Sequence, residues 1–388
     1  MSQTAYAQPL ASPAGRVPPP AEPGMALGEV DTPSLVVELG AVERNVARMA
    51  EATREAGVRL RPHAKTHKCG AIALAQMSAG AVGVCCQKVS EAAAMAAAGV
   101  TDVLVSNQIV GQRKIERLAD LARTTSVGVC VDDARNVAAL GAAAQAAGVE
   151  LEVLVEIDVG ARRCGVLPGA PAVALAEAVS ATEGLRFGGL QAYQGSAQHL
   201  RTPDERSAAI ENAITATGET VAKLQAAGFE CRTVAGAGTG TFDLEAASGV
   251  YNELQAGSYV FMDADYARNL DAGGSPITTF EHSLFMYATV MSTPSEERVI
   301  IDAGLKSMSV DSGLPIVSDW PGLEYVSASD EHGNLAVGAD ARRPALGEKL
   351  MLIPGHCDPT VNLYDWLVAV RDGRVEALWP VDARGAVY

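Results

Sequence analysis

The sequence predicts an α/β chain built as a (β/α)8 barrel with a β-rich domain after it. Three observations point there. Between residues 58 and 261, eight short apolar or β-branched runs alternate with Ala-rich helical segments. Nearly every run ends in polar, donor-rich residues, as the catalytic face of a barrel does. Beyond about residue 275 the helical segments stop, and alternating stretches such as "SLFMYATVMS", "KLMLIPG" and "WLVAVRDGRVEALWPV" take over, separated by Gly, Pro and Asp turns. A doubly wound open sheet is the competing architecture, but eight units without a break favour closure.

Residues 1–27, with "ASPAGRVPPPAEPG", lack the basic-then-apolar order of a signal peptide and read as a disordered Pro/Ala-rich leader. The barrel is expected over 28–275 and the β-domain over 276–388. "SLVVE" is a short strand that could pair into the later domain. The segment after it carries Val42, Val46 and Met49 at helical spacing and stops at Gly57. The barrel strands expected are Val58–Pro62, Ala81–Cys85, Val103–Val105, Val127–Val131, Leu151–Ile157, Arg186–Ala192, Arg232–Val234 and Ser258–Phe261. Segments such as "KVSEAAAMAAAG" and "DARNVAALGAAAQAAG" supply the helices between them.

Composition narrows the function. A net charge of -16 disfavours a nucleic-acid partner, so an anionic ligand must be held by local donors. Seven cysteines without a CxxC pair argue against disulfides or a zinc ribbon and for a reducing, cytoplasmic setting. No apolar run reaches the roughly 18 residues that a membrane span needs.

Strand ends carry the chemistry. The first ends in "RPHAKTHK", placing His63, Lys65 and His67 together, with Lys68 as a further cation expected to lower the Lys65 amine's pKa. The loop "GAGTGTFD" after strand seven fits neither a dinucleotide nor a Walker fingerprint. Its glycines and Thr239 and Thr241 suit a monophosphate held by backbone N–H groups. A lysine, a phosphate cradle and a barrel together suggest a Schiff base to pyridoxal phosphate. In "IPGHCDPT", extended backbone would put His356 and Asp358 on one face. Such a pair makes an open site suited to Mn²⁺ or Mg²⁺, with Zn²⁺ and Co²⁺ as alternatives; a plain polar turn is the other reading.

The ordered set "RPHAKTHK", "VGVCCQKVSEA", "VEIDVGARRCGV", "GLQAYQGSAQH", "GAGTGT", "SGVYNELQAGSYVFMDADY", "DAGLKSMSVDSGLP" and "PGHCDPTVNLYDW" resembles the D-threonine aldolase and D-serine dehydratase-like family. These are fold-type III pyridoxal 5'-phosphate enzymes, and the likeness is greatest to the 3-hydroxy-D-aspartate aldolases. The resemblance implies that Lys65 binds the cofactor covalently. It places Gln87 and Arg163 beside the cofactor, Tyr193 by its ring, and Thr239, Gly240, Gly257 and Ser258 at its phosphate. It puts His356 and Asp358 on the metal, and Gln255 where racemases of this fold carry an arginine by the pyridine nitrogen, which disfavours racemisation. Cys357 between the metal pair keeps a D-serine or 3-hydroxyaspartate dehydratase as an alternative, and Asp358 favours the aldolase branch.

The implied reaction is metal-assisted retro-aldol cleavage of a D-3-hydroxy amino acid, with His63 or a metal-held hydroxide as base. 3-Hydroxy-D-aspartate would give glycine and glyoxylate; D-threonine would give glycine and acetaldehyde. Lys88, His63 and Lys306 are the cations considered for the substrate's side-chain carboxylate. A non-catalytic pyridoxal phosphate carrier is the remote alternative. The resemblance also implies a homodimer, with Asp302 and Asp311 near the junction, while His199, His282 and His332 are left as structural.

Overall fold

The structure, a computed structural model, describes residues 16–388. It holds two sheets. The first strand, β1 (Ser34–Glu38), is followed by α1 (Leu39–Ala56), whose Glu38 cap accepts from the N–H groups of Gly40 and Ala41. Then come β2 (Arg59–Leu60), α2 (Gly70–Ser78), β3 (Val84–Cys86), α3 (Val89–Ala97), β4 (Asp102–Gln108), α4 (Gln112–Leu121), β5 (Ser126–Val131) and α5 (Ala134–Ala147). The series continues through β6 (Leu151–Glu156), α6 (Ala170–Ser180), β7 (Leu185–Gln191), α7 (Pro203–Ala226), β8 (Thr233–Gly236), α8 (Phe242–Ala247) and β9 (Glu253–Leu254).

Strands β2 to β9 form a parallel sheet in the order β2-β9-β8-β7-β6-β5-β4-β3. The seam between β2 and β3 is closed by a His63–Cys85 bridge and by Val82 and Cys85 N–H groups donating to Leu60 and Pro62 carbonyls. The expected barrel is therefore present. Alternation explains why its strands read as continuous apolar runs. Val103, Val105, Val129, Val153 and Val155 pack outward against the helices, while Cys85, Leu104, Cys130, Leu154 and Ala235 fill the barrel. Cys85 and Cys86 are fully buried, as expected of small hydrophobes.

One strand is misplaced in the sequence reading. The eighth is Glu253–Leu254, while Ser258–Val260 forms a 3-10 turn. The true strand escapes a hydrophobic scan because its first residue is a buried carboxylate, bonded to Arg59 and Arg61. Arg61 also reaches Asp102, so a charged cluster fills the amino-terminal end of the barrel, away from the polar strand ends.

The second sheet takes β10 (Leu284–Ser295), β11 (Arg298–Ile301), β12 (Ile316–Val317), β13 (Leu323–Ala328), β14 (Gly333–Val337), β15 (Lys349–Ile353), β16 (Trp366–Arg371) and β17 (Arg374–Pro380). Strand β1 lies inside it, antiparallel to β10 and parallel to β16. A core that includes Leu35, Leu39, Val42, Met49, Tyr259, Phe261, Leu284 and Leu352 joins this sheet to α1 and to the end of the barrel. The short helix α9 (Cys357–Val361) sits between β15 and β16. Residues 1–15 of the expected leader lie outside the described residues. Residues 16–27 are not loose: Trp366 Nε1 donates to the Val17 carbonyl, and Gly24 N–H to that of Val375. Among the described residues no helix is long and apolar enough to cross a membrane.

Candidate active site

A cavity opens at the carboxyl ends of the barrel strands. It is lined by His63, Lys65, Gln87, Arg163, Tyr193, Thr239, Gln255, Gly257 and Ser258, joined by Gln191 and Tyr266. Residues from six strand ends, separated by almost 200 positions in sequence, thus converge on one volume.

Lys65 stands in a 3-10 turn (Ala64–Thr66) just beyond β2, capped by His63, whose Nδ1 accepts from the Lys65 N–H. The other ring nitrogen of His63 meets the Gln87 amide at 2.9 Å and the Ser106 hydroxyl at 3.3 Å. Burial, with the Lys65 ammonium adding to it, pushes His63 well below the usual histidine range, so the ring is neutral. With both nitrogens engaged, the imidazole acts as a strut between two strand ends.

Lys65 Nζ lies 3.3 Å from Asp358 Oδ2. That carboxylate raises the amine's pKa, contrary to the depression expected from Lys68. Lys68 is turned away and buried, its ammonium donating to the Ala383 and Ala386 carbonyls of the carboxyl-terminal segment. Burial raises Asp358, but the Lys65 ammonium, followed by His356, more than offsets it and holds the carboxyl below its usual range.

The metal-pair motif is not extended. His356 caps the start of α9, and Asp358 lies in that helix's first turn, where Pro359 is well tolerated. The helix is fastened to the barrel rim by Asp263, which accepts from the Cys357 N–H, and by the Cys357 thiol, which donates to the Met262 carbonyl. His356 Nδ1 lies 2.9 Å from Asp311 Oδ2, leaving Nε2 as its other face. Asp358 Oδ1 is buried and without a hydrogen-bond partner. Among the described residues no group of three or more His, Cys, Asp or Glu side chains is gathered to hold a metal.

At the loop after β8, Thr239 Oγ1 accepts from the Tyr259 N–H, so its own hydrogen is free to donate into the cavity. Gly257 is needed because a Cβ there would stand 2.8 Å from the His63 carbonyl oxygen. Gly240 faces a neighbouring cavity, and its N–H donates to Gln198 Oε1. That second cavity is larger, but no lysine lines it, and its Arg206 is bonded to three main-chain carbonyls. Gln191 and Gln255 form a reciprocal amide pair at 2.7 and 2.9 Å, which fixes the Gln255 amide. Arg163 lies over the Tyr193 ring, 5.6 Å from its centroid, and 3.9 Å from Glu156.

Some functional candidates carry no periodic signal. Glu245, on α8, accepts from the Thr241 hydroxyl, which in turn accepts from Gln198 Nε2. Burial lifts Glu245 to about 8. His199, left as structural on sequence grounds, is half-exposed, with Nδ1 held 2.7 Å from Asp265 and its ring 6.3 Å from that of Tyr266, which lines the cavity. His282 contacts the Asp263 carbonyl and His332 the Ser329 hydroxyl. Asp302 is engaged inside the second sheet by Thr32 and the Thr289 N–H.

Residues 37–265 match the family model of the alanine racemase N-terminal domain, and residues 283–370 that of a putative serine dehydratase domain. The chain is 49% identical to a D-threonine aldolase from an Arthrobacter species, over 95% of this chain and 97% of that one. It is 48% identical to a 3-hydroxy-D-aspartate aldolase from Paracoccus denitrificans, over 95% of this chain and 96% of the relative. The crystal structure of a D-threonine aldolase from Filomicrobium marinum superimposes with a TM-score of 0.93 at 53% identity, covering 95% of this chain and all of the other.

Proposed function

Given that this chain belongs to the D-threonine aldolase and D-serine dehydratase-like family, we propose that it is a pyridoxal 5'-phosphate-dependent aldolase splitting a D-3-hydroxy amino acid into glycine and an aldehyde. One observation carries the reading. A single cavity holds a lysine amine and a glycine-rich loop with a free hydroxyl donor, and the Asp358 carboxylate of α9 lies 3.3 Å from that amine.

The cavity suits the cofactor. Lys65 is the amine that would hold its aldehyde carbon, and Thr239, Gly257 and Ser258 its phosphate, with Tyr193, Arg163 and Gln87 along the ring and Gln255 at the pyridine nitrogen. Bound there, the cofactor supplies an electron sink for the pair left on Cα when a bond to that carbon breaks. A neutral amide by the ring nitrogen, locked by Gln191, draws electrons less than a cationic arginine would.

The chain's own groups then manage protons. The Cα–Cβ bond breaks as the β-hydroxyl loses its proton and becomes the carbonyl of the departing aldehyde. We assign that proton to His199, whose Asp265 partner leaves Nε2 as the acceptor, since His63 has both nitrogens engaged. With the cofactor bound, Lys65 would be the amine that returns a proton to Cα, and Asp358, 3.3 Å from its Nζ, would keep that amine protonated.

A divalent ion, Mn²⁺ or Mg²⁺ with Co²⁺ and Zn²⁺ as alternatives, would be held by His356 Nε2 and Asp358. The buried, unpartnered Oδ1 of Asp358 favours such a guest. Two protein donors leave room for the substrate hydroxyl, whose acidity a Lewis acid raises.

The preferred substrate is proposed to be 3-hydroxy-D-aspartate, giving glyoxylate, with D-threonine as the second reading because both relatives are similarly close. Product analysis tests the assignment. Glycine with glyoxylate or acetaldehyde supports it; oxaloacetate or a 2-oxo acid with ammonia would make the chain a dehydratase.

A further inference from the structure

A substrate bearing a second carboxylate needs a cation beside the reacting carbon, and the structure narrows the choice. Lys306 is paired with Glu331 in an exposed bridge. His63 is neutral and buried. Gln87 turns into the cavity, so Lys88, next to it in extended backbone, turns out. Arg201 donates to the carbonyl and carboxylate of Asp265 and to Asn269 Oδ1.

Arg268 differs. It ends the 3-10 turn Tyr266–Arg268, whose first residue lines the cavity. Its guanidinium crosses to the loop between β11 and β12, where Nη1 donates to the Ser312 carbonyl at 3.2 Å. It rests on Gly313, where a Cβ would stand 2.3 Å from Nη2 and where φ is +124°. The Ser312 hydroxyl is itself 3.3 Å from His356 Nδ1, so Arg268 and the metal-pair histidine share one loop. The nearest carboxylate, Asp265, is 3.7 Å away and already held by Arg201 and His199; Asp311 is engaged by His356 and Ser309. Most of the five donors of a guanidinium thus remain open on a half-exposed side chain beside the loop that holds His356.

We propose that Arg268 receives the side-chain carboxylate of a dicarboxylic substrate, and so determines the preference for 3-hydroxy-D-aspartate over D-threonine. The inference rests on the aldolase reading and deepens it. A planar fork suits a carboxylate, and losing a charge-assisted pair removes the advantage of the acidic side chain alone.

The test compares wild type with Arg268→Met, which keeps the aliphatic stem against Gly313, and with Arg268→Lys, which keeps the charge should the first variant fold poorly. The ratio of kcat/KM for 3-hydroxy-D-aspartate to that for D-threonine should fall roughly 10- to 100-fold in Arg268→Met and less in Arg268→Lys. Equilibrium binding of D-aspartate, which has no hydroxyl to cleave, should weaken relative to D-2-aminobutyrate by a similar factor in the cofactor's absorbance. Ratios that move less than about threefold in both variants would overturn the role of Arg268. Absence of glycine from either substrate in the wild type would instead overturn the aldolase reading itself.

Discussion

Replacing Glu245 by Gln should stabilise the protein at neutral pH and remove a specific slope from its pH dependence. Glu245 is about 1% exposed, with one oxygen on the Thr241 hydroxyl and the other without a partner. Burial raises its carboxyl from 4.5 to about 8, with Thr241 pulling down and Asp243 adding to the rise. Tyr251 and Tyr193, both buried phenols, are its other titratable neighbours. The folded protein therefore keeps a proton here that the unfolded chain releases above about pH 4.5. Stability from this group is greatest below that value and declines as pH climbs toward 8, by about 1.4 kcal/mol per unit. At pH 7 the accumulated cost is on the order of 3 kcal/mol. Glutamine imitates the neutral acid toward Thr241 and has no proton to lose. Equilibrium urea unfolding of both proteins at half-unit steps from pH 5 to 8 measures the difference. The variant's advantage should widen steadily with pH. A constant difference would show that Glu245 titrates normally, and the reading of a neutral acid behind the phosphate loop would fail.

Other outcomes follow from the same geometry. Lys65→Ala should lose the cofactor's protein-bound absorbance and all cleavage, read by spectrum and glycine release. Chelation should stop cleavage while leaving that absorbance in place, since the donors assigned to metal and cofactor differ; activity surviving complete metal removal would refute the role of His356 and Asp358. His199→Gln should lower kcat by roughly 10²- to 10⁴-fold with cofactor binding retained, as the loss of a general base does. Sedimentation should give twice the 40.1 kDa chain mass if barrel mouth and second sheet pair between two copies.

Much of this was legible in the chain itself. The barrel follows from eight short apolar runs alternating with helical segments, and a run such as Val103–Leu104–Val105 is apolar throughout because both of its faces are buried. Strand ends located most of the cavity lining, because a parallel barrel delivers its polar termini to one face. What escaped has physical causes. Glu253 begins a strand yet is charged, its burial made tolerable by two arginines distant from it in sequence. The alternation argument for His356 and Asp358 assumed extended backbone where a short helix begins. Lys68 looked like a partner to Lys65, but its φ of +50° and the carboxyl-terminal carbonyls turn it elsewhere. His199 and Arg268 end 3-10 turns and Asp265 precedes one, where no periodicity marks a functional face.

Peptide mapping after borohydride reduction of the cofactor-loaded protein tests the central claim most directly, because reduction fixes the pyridoxyl group to whichever amine holds it. The account predicts a single phosphopyridoxyl modification on the peptide containing Lys65. Modification of a different lysine, or of none, would contradict it.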